Sequence, residues 1–292
     1  MYELIPVARR TYYIDCPAKI GVVLMENNGV YLIDSGSDKD AGKKVKRILE
    51  QNSWTLLGIL NTHSHADHIG GNRYLQEQTG CKIFSGGLEA DFIRHPILEP
   101  SLLYGGLPPA ELRHKFLLAQ DSEVTDFSDG AFPKEIEILP LPGHSFSMVG
   151  FRTPDNVVFL ADCVSSPATL EKYGISYLYD VEKFLHTLDE AERLSAALFI
   201  PSHAEPTADC GELVRLNREK VLEIGDRVVS LCKTPITSEA LLTQVFRDFS
   251  LTMTFQQHAL LGSTLRSYLT WLKNTGRLTC AIENNMLLWQ QA

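Results

Sequence analysis

The sequence predicts an α/β protein: a mostly β sheet unit with helices packed outside it, then a small unit of helices closed by a two-stranded ribbon. Three observations carry this. In the first half, β-branched apolar runs alternate with amphipathic stretches. Asn-Asn-Gly and single glycines fall where hairpins and helix ends need them. At Pro235 the texture changes, and two helical stretches precede a short hairpin signal.

Taken in order, "IGVVLMENNGVYLIDSG" (20–36) is two apolar runs around Asn27-Asn28-Gly29, a hairpin signal. A helix follows, with Ser37 or Asp38 as N-cap and Val45, Ile48 and Leu49 on one face. "WTLLGILNTHSH" is a buried strand, "IGGNRYLQEQTG" a short helix closed by Gly80, and "CKIFSG" the next strand. Residues 87–121 break the alternation with four prolines and no strand signal. They read as one or two short helices and a loop, either a surface insertion or a lid over a site. Strands resume at 136–145 and in a hairpin over 147–163 that turns at Thr153-Pro154-Asp155-Asn156. A helix ("VEKFLHTLDEAERLSA"), a strand (197–205) and a long helix ("GELVRLNREKVLEIGDRVVSLCK") complete this part. The expected division is a catalytic unit over 1–210, a connecting helix over 211–234, and a winged-helix-like unit over 235–292.

The chain has 292 residues, 44% of them apolar, and a net charge of -9. That charge speaks against a nucleic-acid binder, which usually shows a basic face. The last unit repeats the point, with four basic against three acidic residues in 235–292. Cysteines 16, 81, 163, 210, 232 and 280 form no C-x-x-C pair and read as reduced, mostly buried thiols. The N-terminal stretch lacks the apolar core of a signal peptide, and no apolar run approaches the ~20 residues of a membrane span, so a cytoplasmic protein is expected.

The chemistry concentrates in "NTHSHADHIGG" (61–71). His63, His65 and His68 offer imidazoles suited to zinc, iron or manganese, and Asp67 adds a hard oxygen. A tight loop after a strand can fan these four side chains out, but one ion would use three of them at most. Further ligands must come from elsewhere. His144 after Pro142-Gly143, Asp162, and His203 after Pro201-Ser202 each stand at an expected strand end. His95, His114, His186 and His258 have no such partners and read as structural or surface residues.

These residues resemble the metallo-β-lactamase superfamily, specifically the binuclear hydrolases related to hydroxyacylglutathione hydrolase (glyoxalase II). The resemblance is carried by Asp34 in "LIDSG", by "THSHADH", by His144 in "PGHS", Asp162 in "LADC" and His203 in "PSHAE", and spans 34–203. It implies an αββα sandwich and two divalent ions, zinc first, with iron or manganese as alternatives. His63, His65 and His144 would hold one ion, Asp67, His68 and His203 the other, and Asp162 would bridge them. Asp34 would brace the histidine loop, since such partners fix ligand orientation. Two cations ~3.5–4 Å apart make hydroxide available at neutral pH, and Asp67 would orient it and take its proton. Flavodiiron relatives carry glutamate where His65 stands, and B1 lactamases carry cysteine where Asp162 stands; Cys163, one residue later, reads as structural. Persulfide dioxygenases share the H-x-H-A-D-H run but use a single iron. Relatives commonly have Gly-His-Gly where this chain has Ser202-His203-Ala204. The tail resembles the C-terminal winged-helix-like unit of lactamase-β-like proteins. The expected activity is hydrolysis of an ester, thioester or lactone in a small molecule; the alternative is a nuclease or phosphodiesterase on single-stranded RNA or a related phosphodiester. A homodimer through an exposed tail is the expected assembly.

Overall fold

The computed structural model describes residues 2–292. Its first sheet holds β1 (Glu3–Pro6), β2 (Thr11–Asp15), β3 (Ile20–Leu24), β4 (Gly29–Ile33), β5 (Thr55–Leu60), β6 (Lys82–Ser85) and β7 (Val124–Asp126) in chain order. The strands are antiparallel through β4 and parallel from there on. The second sheet runs β11-β10-β9-β8, from β8 (Glu137–Pro140), β9 (Val149–Arg152), β10 (Val157–Ser165) and β11 (Leu198–His203).

Strand alternation sets the layers, because successive side chains face opposite ways. Val23, Ile33, Leu60 and Phe84 of the first sheet meet Val149, Phe151, Val157 and Phe159 of the second. Their neighbours Val22, Leu32, Ile59 and Ile83 face outward onto Val45, Ile48 and Leu49 of α1 (Lys39–Gln51) and Leu75 of α3 (Asn72–Thr79). On the far side, Val158 and Leu160 face α7 (Val181–Arg193) and α8 (Gly211–Leu231). The result is the αββα sandwich. The Asp38 carboxylate caps α1 by accepting from Ala41 N–H (2.9 Å), and Gly80 ends α3 in the left-handed region (φ +71°), both as the sequence suggests.

Four elements had no clear sequence signal: the β1–β2 hairpin, β7, α6 (Pro167–Tyr173) and the two-residue β12 (Ile236–Thr237). Each is short, and most of their residues are half-buried or exposed, so they carry little apolar pattern.

The 87–121 segment contains α4 (Gly87–Arg94), α5 (Leu98–Tyr104) and one 3-10 turn. It is not a surface insertion. Ala90, Phe92, Ile93, Leu103 and Leu112 are buried, as are the acids Glu89 and Glu99.

The tail has the expected order of helices followed by a ribbon. After β12 come α9 (Ser238–Asp248), α10 (Phe255–Asn274), β13 (Leu278–Glu283) and β14 (Met286–Gln291), the strands pairing as β12-β14-β13. Leu241, Leu242, Val245 and Phe246 of α9, and Leu265, Tyr268, Leu269 and Leu272 of α10, are buried in the same cluster as α7 and α8. Fully burying one such side chain is worth about 1.5–3 kcal/mol. The helices of the tail are therefore packed into the fold, while the β13–β14 hairpin stays largely exposed. Among the described residues, no helix is long and apolar enough to cross a membrane.

Candidate metal centre

The histidine run leaves β5 and enters α2 (Ala66–Ile69). His65 is extended (φ -64°, ψ 145°) and precedes the first turn, so His63 and His65 project from a loop while Asp67 and His68 project from a helix. The two glycines after α2 have a packing reason. A Cβ on Gly70 would overlap the Ser37 backbone, and one on Gly71 the Ser35 carbonyl. Their absence lets the helix dock on the loop after β4, where Ser35 N–H donates to His68 O (2.8 Å).

That loop carries Asp34, 2% exposed and held at φ +64°. Its carboxylate accepts from Thr62 N–H (2.8 Å), Thr62 Oγ1 (2.7 Å), Asn61 Nδ2 (3.3 Å) and His68 Nδ1 (2.8 Å). His63 Nδ1 donates to Thr62 Oγ1 (3.0 Å), so Asp34 orients His68 directly and His63 through the hydroxyl. His144 Nδ1 donates to Tyr177 O and His203 Nδ1 to Pro17 O, each at 3.1 Å. Such outward bonds fix the ring orientation, and on a neutral ring they leave the inward nitrogen as a lone pair.

The inward atoms converge. His65 Nδ1 lies 3.1 Å from His63 Nε2 and 3.0 Å from His144 Nε2. His68 Nε2 is 3.7 Å, and His203 Nε2 3.5 Å, from Asp67 Oδ2. Between these groups sits Asp162: Oδ1 is 3.1 Å from His68 Nε2, while Oδ2 is 3.4 Å from His144 Nε2 and 3.3 Å from His203 Nε2. The donor atoms within His63/His65/His144, within Asp67/His68/His203, and within His63/His68/Asp162 all lie within 4.8 Å of one another.

Asp162 and His144 stand differently from the sequence expectation. Asp162 does not end its strand, since β10 continues to Ser165. The strand is irregular at Ala161 (φ +49°), where its register with β11 shifts. Such a bulge re-aims the following side chains. Val158 and Leu160 face the helical layer, and past the irregularity it is Ala161 and Cys163 that do so, which leaves Asp162 for the cluster. Cys163 is fully buried in that core and belongs to none of the donor groups. His144 lies four residues past β8, in a turn where Gly143 takes φ +120° with its α-carbon packed on the Phe184 backbone. At His203 no glycine is needed: neither Ser202 nor Ala204 has a positive φ. His95, His114, His186 and His258 join none of the groups.

Two buried acids at the site had no sequence signal, because they are single glutamates in short interrupted helices. Glu89, 1% exposed, joins the two histidine loops. Its Oε2 accepts from Ser64 N–H (2.9 Å) and Ser64 Oγ (2.6 Å), and its Oε1 from Ser145 Oγ (2.7 Å) and Ser147 N–H (2.9 Å). Glu99 Oε1 lies 3.6 Å from His65 Nε2. Burial raises the Glu99 carboxyl, with His65 opposing the shift.

The electrostatics divide the cluster in two. Burial drives His63 well down and His144 down to about 3, so both are neutral. Burial also disfavours charge on His68, but the Asp162, Asp67 and Asp34 carboxylates outweigh it and raise His68 well above its ordinary value. Asp162 likewise lifts His203 to about 10. Burial would raise the acids, yet His68 and His203 hold Asp67 at about 2 and Asp162 well below the carboxylate range.

The donor set suits divalent cations. In the first group His65 Nδ1 lies 3.0–3.1 Å from the other two donor nitrogens, close to the ~3.3 Å edge of a tetrahedron with ~2.0–2.1 Å metal–nitrogen bonds. The second holds the Asp67 carboxylate and faces that of Asp162, and the two call for positive charge. His68 Nε2 and Asp162 Oδ1 are buried without a hydrogen bond, as buried polar atoms rarely are.

A cavity of about 430 Å³ opens beside the cluster. Glu99, Phe116 and Leu117 form one wall, so 87–121 shapes the site. Thr169, Lys172, Tyr173 and Tyr177 form a second, and Leu251, Gln257, Leu260 and Leu261 of the tail a third.

Comparison with known proteins agrees with this geometry. The family model described as the metallo-beta-lactamase superfamily matches residues 14–203. The hydroxyacylglutathione hydrolase of Hyphomonas neptunium is 34% identical over 116 residues, covering 39% of this chain and 36% of the relative. That of Methylococcus capsulatus is 28% identical over 185 residues, covering 60% of this chain and 61% of the relative. The match thus spans only part of those relatives' length. Among solved structures, a beta-lactamase domain protein from Burkholderia ambifaria has a TM-score of 0.74 at 15% identity, covering 99% of this chain and 95% of that one. A metallo-beta-lactamase family protein from Thermus thermophilus has a TM-score of 0.72 at 16% identity, covering 99% and 97%. Those two likenesses show a shared fold over the whole chain, tail included. With its αββα layers and its histidine and aspartate cluster at the sheet ends, this chain belongs to the metallo-β-lactamase superfamily.

Proposed function

We propose that the protein is a binuclear metal-dependent hydrolase that cleaves an ester, thioester or lactone bond in a small molecule. The observation that carries this reading is Asp162, whose two oxygens face the two three-donor groups at once. His63, His65 and His144 would hold one ion and Asp67, His68 and His203 the other, with zinc the expected metal for a set of imidazoles and carboxylates. When bound, the ions supply an activated water and polarise the scissile carbonyl. Asp67 borders the cavity beside His68 and His203, so it can orient that water and take its proton. Asp34 positions His63 and His68 without touching the substrate.

The relatives named hydroxyacylglutathione hydrolases support thioester chemistry. The cavity favours a small molecule over the alternative phosphodiester: Lys172 is the only Lys or Arg lining it, beside Glu99, Asp67 and Asp162. A polyanionic strand would need several cations along its path. On this reading residues 1–210 carry the chemistry and 211–234 connect. Residues 235–292 close the cavity as a winged-helix-like unit, supported by two helices followed by the β13–β14 hairpin. Metal analysis of the purified chain, with a panel of thioesters and lactones assayed with and without chelator, tests the proposal. About two ions per chain and chelator-sensitive turnover are expected. No chelator-sensitive turnover of any member would overturn it.

A further inference from the structure

The cavity away from the metal-facing residues has a composition of its own. Phe116, Leu117, Ile175, Leu251, Leu260 and Leu261 line it, drawn from segments far apart in sequence. Contacts just beside the lining tie those segments together. The Tyr104 and Phe255 rings lie 6.2 Å apart, Gln256 Nε2 donates to Glu111 O (3.5 Å), and Ser267 Oγ donates to Tyr179 O (2.8 Å). The apolar lining reaches the surface, with Phe116 69% exposed and Tyr173 52% exposed. Exposed aromatic area at a cavity mouth is costly to leave wet and marks a surface that binds something apolar.

The charges are arranged unequally. The carboxylates sit at the metal end, on Asp67, Asp162 and Glu99. The one ammonium is that of Lys172 on α6, 4.8 Å from the Tyr173 ring centroid and in no ion pair within the described residues. It is free to meet one anionic group.

Resting on the hydrolase reading above, we propose that the substrate is a thioester or ester with an apolar acyl group, medium-chain or aryl, and a single anionic group that Lys172 receives. Hydrolysis adds water across the acyl C–S or C–O bond. The acyl carbon gains the hydroxyl, the thiol or alcohol leaves with a proton, and no redox partner is required. A glutathione thioester, with two carboxylates and an ammonium on its peptide, matches this lining poorly. Each additional buried methylene is worth about fourfold in affinity or kcat/KM.

The test uses the metal-loaded 292-residue chain and thioesters of 3-mercaptopropionate (one carboxylate), N-acetylcysteamine (neutral) and glutathione, each with acetyl, hexanoyl and benzoyl groups. With one thiol, kcat/KM is expected to rise at least tenfold from acetyl to hexanoyl, and Leu260→Asp to shrink that ratio. The mercaptopropionate series is expected to exceed both others, and Lys172→Met to erase its lead over the neutral series. Calorimetry with the non-hydrolysable S-hexyl and S-ethyl thioethers of 3-mercaptopropionate reads the cavity without turnover, and S-hexyl is expected to bind at least tenfold tighter. S-hexyl binding no tighter than S-ethyl, or glutathione thioesters outrunning the rest, would overturn the inference. Tight S-hexyl binding with no thioester hydrolysed would instead overturn the hydrolase reading and leave the apolar subsite standing.

Discussion

Replacing Glu89 with Gln changes one atom and isolates what a buried carboxylate does for the site. The native side chain gives two acceptor oxygens to four donors, two on each histidine loop. The amide in Glu89→Gln keeps one acceptor and turns the other into a donor pair. The serine hydroxyls can rotate to accept from it, but one backbone N–H, of Ser64 or of Ser147, then faces an NH₂ group. The loss is one charge-assisted hydrogen bond, about 1.5–3 kcal/mol, together with an orphaned buried N–H of about 1–3 kcal/mol. Removing a buried charge returns part of this, so a net cost of about 3 kcal/mol is expected. For a chain of this size that lowers the melting midpoint by roughly 5–10 °C. Because the two loops carry His63, His65 and His144, the first metal should also be held less tightly, and metal per chain at limiting free zinc should fall below that of the native protein. Calorimetric melting and metal analysis after dialysis read the two effects. A midpoint within about 1 °C of native, with unchanged metal content, would refute the role assigned to Glu89 from these hydrogen bonds.

Three further outcomes follow from the same structure. Asp34→Ala removes the acceptor of four hydrogen bonds and should cost about 3–5 kcal/mol while weakening metal retention, read by melting and metal analysis. Cys163→Ser places a hydroxyl in a fully apolar setting and should cost about 1–3 kcal/mol without changing metal content; loss of metal would instead make the thiol a ligand. Asp38→Ala deletes the α1 cap and should cost about 1 kcal/mol at neutral pH. Lys115 and the Ala41 N–H hold the Asp38 carboxyl below its ordinary 3.8, so its contribution is complete above pH 3.8 and lost as pH falls through the lower folded value. Native and variant melting curves should therefore converge in strong acid.

The local patterns were enough to place most strands, the caps at Asp38 and Gly80, and the histidines and aspartates that the fold gathers into one cluster. Period-2 alternation assigns Val22 and Val23 to opposite faces whatever the rest of the chain does, and a histidine run with an aspartate has few uses besides binding metal. The sequence left open how Asp162 reaches the cluster, because its orientation depends on a bulge at Ala161 that appears only when β10 pairs with β11. Glu89 and Glu99 were invisible for a related reason: a single acid in a short helix is ordinary until packing buries it against a histidine loop. The sequence does not show where the tail docks, because amphipathic helices do not reveal which surface receives them. Packing shows that surface to be α7 and α8, which places the tail along one wall of the cavity. Residue chemistry and short-range periodicity set the metal chemistry; long-range packing, which no local pattern encodes, sets the shape and charge of the space where a substrate must fit.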